Sequence, residues 1–148
     1  MKSEPRAYYL SNNAYDRLVG MAQKRQYVKW GTNKAKGLSS FLNDLAQIEL
    51  EDTRPASVRE RHEQEMKYNR APTWLQIRIR RARLLTLTED ALARYWKVAF
   101  EVGICKAGGY AVGGPTMRSP VPSVAYVIEA IALGWLTPVE WPKGNLEQ

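Results

Sequence analysis

Hydrophobic residues along this chain recur with two different periods, and the same order of periods is met twice. Residues 7–10 form a short aromatic-rich stretch that suits a strand. Ser11 stands where a helix N-cap is wanted, ahead of a helix over about 12–26 whose Leu18, Met21 and Ala22 have helical spacing. The pattern breaks over 27–37 and resumes as a second helix, with Leu38, Phe41, Leu42, Leu45 and Ile48 on one stripe. Residues 51–55 stop it. Near the other end, residues 84–87 again suit a strand, and Thr88 caps a helix over about 89–103 with Leu92, Tyr95, Trp96 and Ala99 as its core face. A Gly- and Pro-rich loop over 106–122 leads to a last helix over about 124–133. Both second helices end alike, Leu45-Ala46 then Leu50, and Ile131-Ala132 then Leu136.

A strand and two helices are too small to bury a core alone, so the two copies are predicted to complete each other. The fold class expected is mainly α with a short β-ribbon. Three segments follow: 1–52 as the first unit, 53–83 as a charged connection, and 84–148 as the second unit with a C-terminal tail. Within the connection, 59–70 is dense in both charges and suits a solvated helix or a mobile linker. Pro72 closes it. Apolar and polar residues then alternate from Leu75 to Arg80, which predicts a strand, although the same residues could wind as a basic helix.

Composition adds a partner class. The 148 residues carry a formal net charge of +7, and a basic balance of this size favours a polyanion, nucleic acid before an acidic membrane surface. Cys105 is the single cysteine, which fits a reducing compartment and an inert packed thiol. The first five residues lack the apolar core of a signal peptide, and Pro122, Glu129, Gly134 and Pro138 interrupt the longest apolar stretch. The expectation is therefore a cytoplasmic protein without a membrane span.

The doubled unit resembles the ribbon-helix-helix family of DNA-binding proteins. The residues that carry the resemblance are 8–15 (YYLSNNAY) with 37–42 (GLSSFL), and 85–92 (LTLTEDAL) with 124–128 (VAYVI). It implies a tandem pseudo-dimer in which one chain supplies both strands of an antiparallel ribbon; a homodimer that pairs like copies is the alternative. One face of the ribbon would pack on the helices and the other would enter the major groove. If Tyr8, Leu10, Leu85 and Leu87 face the core, then Ala7, Tyr9, Leu84 and Thr86 face outward. Tyr9 and Thr86 would then reach the groove. Lys29, Lys34, Lys36 and Ser39 would hold phosphates beside the start of the second helix, where the family often seats one on free backbone amides, and Ser40 would add a second hydroxyl there.

Other residues also suit nucleic acid. From Arg70 through Arg83 there are five arginines and no acid, so Arg78, Arg80, Arg81 and Arg83 are expected to contact phosphates. One histidine and one cysteine cannot build a usual zinc site, and residues 108–114 lack the lysine of a phosphate loop. Neither a cofactor nor a catalytic constellation is expected. The function read from the sequence is non-enzymatic binding of duplex DNA, as a regulator or a plasmid or phage accessory factor. The alternatives are a protein-interaction module and a subunit of an RNA–protein assembly.

Overall fold

The computed structural model of the chain describes residues 3–29, 34–68, 79–104 and 121–144. Among them the order of elements is β1 (Ser3–Ser11), α1 (Asn12–Lys24), α2 (Lys34–Leu45), β2 (Leu50–Asp52) and α3 (Ala56–Lys67). There follow β3 (Arg80–Thr88), α4 (Glu89–Glu101), α5 (Val121–Ala132) and β4 (Leu136–Pro138). The protein is mixed α/β and roughly half helical.

The strands form two antiparallel pairs, β1 with β3 and β2 with β4. Counted from the two N-caps, Ala7 corresponds to Leu84, and these two residues are direct partners in the ribbon. Counted from the matching helix ends, Glu51 corresponds to Thr137, and they too are partners. Like thus faces like at the centre of both pairs, which is the register of an approximate two-fold axis. Each copy is therefore a strand, two helices and a second, three-residue strand. The short β2 and β4 were absent from the expected elements, because three residues are too few to show a period.

Local chemistry repeats along with the topology. Ser11 Oγ accepts from Ala14 N–H at 3.1 Å, and Thr88 Oγ1 accepts from Ala91 N–H at 3.0 Å. Both first helices leave through a left-handed residue, Gln26 at φ 67° and Gly103 at φ 78°. The following amides, of Tyr27 and Ile104, return to the carbonyls of Ala22 and Ala99, a closure that the left-handed residue makes possible.

One core runs through both copies. Tyr8, Leu10, Leu85 and Leu87 from the ribbon pack with Leu18, Phe41, Leu42, Tyr95, Val127 and Ile128 from the helices. Full burial of such a side chain contributes about 1.5–3 kcal/mol. The Tyr95 hydroxyl donates to the Leu42 carbonyl and so ties α4 to α2. Trp96, expected on the core face of α4, instead stands 37 % exposed. Trp141 lies parallel to Phe41 with centroids 6.4 Å apart, under the Arg25 guanidinium at 3.5 Å, and this holds the C-terminal segment on the body.

Several boundaries differ from expectation. The second helix begins at Lys34, so Lys34 and Lys36 lie on its first turn rather than in the loop expected over 27–37. Gly37 permits this, because a Cβ there would stand 2.3 Å from the Tyr27 carbonyl oxygen. β3 begins at Arg80, which moves Arg80, Arg81 and Arg83 from the connecting segment into the ribbon. Most of the strand expected over 75–80, with Cys105 and the loop over 108–114, lies outside the described residues.

The charged connection contains α3, whose residues are mostly exposed apart from a buried His62. Arg54 anchors this helix. Its guanidinium takes both Asp52 oxygens at 3.0 and 2.7 Å, the Val102 carbonyl at 2.8 Å and His62 Nδ1 at 2.7 Å. Because arginine can only donate, His62 must be neutral with its proton on Nε2. Burial, with the Arg54 charge beside it, pushes the imidazole down from 6.5 to about 4. The unfolded chain then binds a proton that the folded chain refuses between those two values. Stability from this group is complete above pH 6.5 and falls as pH drops toward about 4, by on the order of 3 kcal/mol. NMR titration of the single imidazole should place its midpoint near 4; a midpoint near 6.5 would contradict the buried Arg54 contact.

Candidate functional site

Strand alternation divides the ribbon into two faces. Tyr8, Leu10, Leu85 and Leu87 point into the core, while Pro5, Ala7, Tyr9, Ala82 and Leu84 are exposed and Thr86 is half-buried. Across the outer face the partners are Pro5 with Thr86, Ala7 with Leu84, and Tyr9 with Ala82. Tyr9 is 53 % and Leu84 65 % exposed, so the centre of this face is an uncovered apolar strip.

The helices beside the ribbon seal its backbone. Ser39 Oγ accepts from Thr86 N–H at 2.9 Å, Asn43 Nδ2 donates to the Thr86 carbonyl at 3.1 Å, and Asn43 Oδ1 accepts from Thr88 N–H at 2.9 Å. The matching residue of α5 is Glu129, which is fully buried and accepts from Ser11 N–H at 3.1 Å and Ser11 Oγ at 2.7 Å. Each N-cap amide is thus satisfied by a side chain from the other copy. Groups that would otherwise compete for a ligand, or cost free energy unpaired, are already committed.

Between α2 and the outer face lies an open groove of about 430 Å³, lined by Pro5, Lys36, Ser39, Ser40, Asn43, Leu84 and Thr86. Four residues expected from the sequence to contact DNA, Lys36, Ser39, Ser40 and Thr86, meet here. The Lys36 ammonium is the cation of the groove. The Ser40 hydroxyl donates to the Lys36 carbonyl at 3.2 Å and keeps its oxygen lone pairs available. Tyr9 stands on the same outer face but at the opposite end of the ribbon.

The arginine cluster divides. Arg81 is exposed on β3 opposite Leu10. Arg83 instead lies over the Tyr15 ring at 4.0 Å and donates to Asn12 Oδ1 at 3.0 Å. Arg80 turns to Glu129, with 3.5 Å between Nη1 and Oε1, and donates to the Tyr9 carbonyl at 3.0 Å. Lys29 is exposed after α1, Lys34 opens α2, and Arg78 lies outside the described residues. A run of basic residues says nothing about which of them the fold will engage.

Asn43 and Pro5 complete the groove but carry no functional expectation from sequence. Asn43 and Glu129 did carry a signal, a polar residue inside an otherwise apolar helical stripe. The described residues hold no group of three or more His, Cys, Asp or Glu side chains placed to bind a metal ion. No helix among them is long and apolar enough to cross a membrane. What the site offers is apolar contact, two hydroxyl-bearing side chains on the ribbon, and an ammonium beside them.

Comparison with known proteins finds no matching family model, no matching curated protein and no matching solved structure.

Proposed function

We propose that the chain is a non-enzymatic DNA-binding protein, a tandem ribbon-helix-helix pseudo-dimer that lays its outer ribbon face in the major groove. The observation that carries this reading is the exposed outer face, centred on the Ala7–Leu84 pair, with Lys36 in a groove beside it. A major groove about 12 Å wide accepts a two-stranded β-ribbon. The net charge of +7 suits a polyanion, and an ammonium on the first turn of α2 supplements the partial positive charge of that helix end toward a phosphate. Ala7, Ala82 and Leu84 can meet thymine methyls, and Tyr9 and Thr86 carry the hydroxyls of the face.

Fluorescence anisotropy with random and selected duplexes tests the proposal. Binding should weaken at least tenfold between about 50 and about 200 mM salt. Lys36→Ala should lower affinity severalfold on every sequence and reduce the salt slope by about one, while Lys143→Ala should change neither. The absence of any duplex binding at low salt would reject the reading.

A second reading, a protein-interaction module, rests on the same apolar strip, because Tyr9 and Leu84 would suit a protein partner. A stoichiometric co-purified protein that competes with duplex for the ribbon would favour it.

A further inference from the structure

The two ends of the ribbon occupy equivalent positions but carry different chemistry. Counted from the N-caps, Tyr9 corresponds to Thr86, Pro5 to Ala82, and Ala7 to Leu84. Counted from the helix ends, Lys36 corresponds to Pro122, Ser39 to Ala125, Ser40 to Tyr126, and Asn43 to Glu129. At the Thr86 end, small hydroxyls and an ammonium converge on the groove. At the Tyr9 end, the corresponding residues are aromatic or apolar apart from the buried Glu129, and the cation is an arginine drawn onto that carboxylate. The backbone keeps its pseudo-two-fold register while the contact surface has lost the symmetry.

Resting on the DNA-binding reading above, we propose that this chain reads a non-palindromic duplex in a single orientation, with a different half-site under each end of the ribbon. Two identical chains present identical ends and so favour a palindrome; one chain with two copies is free of that constraint. The Tyr9 end places a phenol ring 53 % exposed over one half-site, which favours a thymine methyl or a base edge that can accept from its hydroxyl. The Thr86 end is shallower and brings Lys36 and Ser40 to the neighbouring phosphate. Leu84 and Ala7 at the centre have apolar contact alone to offer, and therefore favour thymines at the central steps. Tyr9 and Thr86 are the residues that set orientation.

The experiment is directed cleavage on a selected duplex. Cys105→Ser removes the native thiol, and Asn13→Cys or Glu89→Cys then places one iron chelate beside one end of the ribbon, at exposed positions just after the two caps. A single orientation gives cuts on one flank with Asn13→Cys and on the opposite flank with Glu89→Cys. The wild-type chain should also prefer its selected site by about tenfold over a palindrome made from either half. Tyr9→Thr should cut that preference to within about threefold. Equal cutting of both flanks by each variant, or selection of a palindrome, would overturn the single orientation and leave DNA binding intact. Absence of duplex binding by every variant and by the wild-type chain would reject both.

Discussion

Leu84→Glu should abolish specific duplex binding, with a loss of about a hundredfold or more, and leave the melting temperature nearly unchanged. Leu84 sits at the centre of the ribbon opposite Ala7, and its side chain is 65 % exposed. A carboxylate there would stand at the middle of the proposed contact, where it must lose its hydration and face an anionic surface. The cost falls wholly on the complex. Folding is spared because the side chain contributes nothing to the core, and exposed substitutions usually stay within about 0.5 kcal/mol. Leu84→Ala should be far milder, since it removes apolar contact without adding charge. Anisotropy and thermal unfolding measured on the same preparations give both readouts. Duplex binding at wild-type strength by a folded Leu84→Glu protein would show that the outer face is not the contact surface.

Glu129→Ala should destabilise the fold by about 3–5 kcal/mol, the usual cost of removing one partner of a buried ion pair. Glu129 is fully buried and holds both the amide and the hydroxyl of Ser11, with Arg80 at 3.5 Å. Its loss strands the N-cap of α1 and takes the opposing charge away from the Arg80 guanidinium. Glu129→Gln should cost about 2–3 kcal/mol, because the charge opposite Arg80 is lost while an amide oxygen still accepts from the Ser11 amide. The side-chain amide of Asn43 accepts from the Thr88 cap amide in the same way in the other copy. Urea unfolding of the two variants at neutral pH measures the contrast. Equal, small losses would show that the carboxylate is not what holds the cap. Arg80→Ala should then report mainly on stability, although Arg80 belongs to the run of arginines expected to meet phosphates.

Much of the architecture could be read from short stretches of sequence. Ser11 and Thr88 announced two helix starts, because a hydroxyl before an apolar-periodic run satisfies an amide three residues on. Alternation sorted Tyr8, Leu10, Leu85 and Leu87 from Ala7, Tyr9, Leu84 and Thr86, because side chains on a strand must point to opposite faces. Of the candidate site, Lys36, Ser39, Ser40 and Thr86 were legible as separate signals, and the groove that joins them was not. Ser39 meets Thr86 across 47 positions, and Glu129 meets Ser11 across 118. No local period encodes such contacts.

The arginines show the same limit. Arg80, Arg81 and Arg83 are nearly adjacent in sequence, yet one is drawn to a buried carboxylate, one is exposed and one covers a tyrosine ring. Arg54 and His62 read as ordinary charged-segment residues and prove to be buried partners. The inner and outer faces of the ribbon, the two capped helix starts and the existence of two copies follow from interactions spanning a few residues, so the chain's own order was enough to specify them. The strand register, the pseudo-two-fold axis, the exchange of cap partners between copies and the fate of each arginine depend on which distant groups the core brings together. Burial makes those pairings obligatory, because a polar group withdrawn from water must find its partner wherever the fold has placed one.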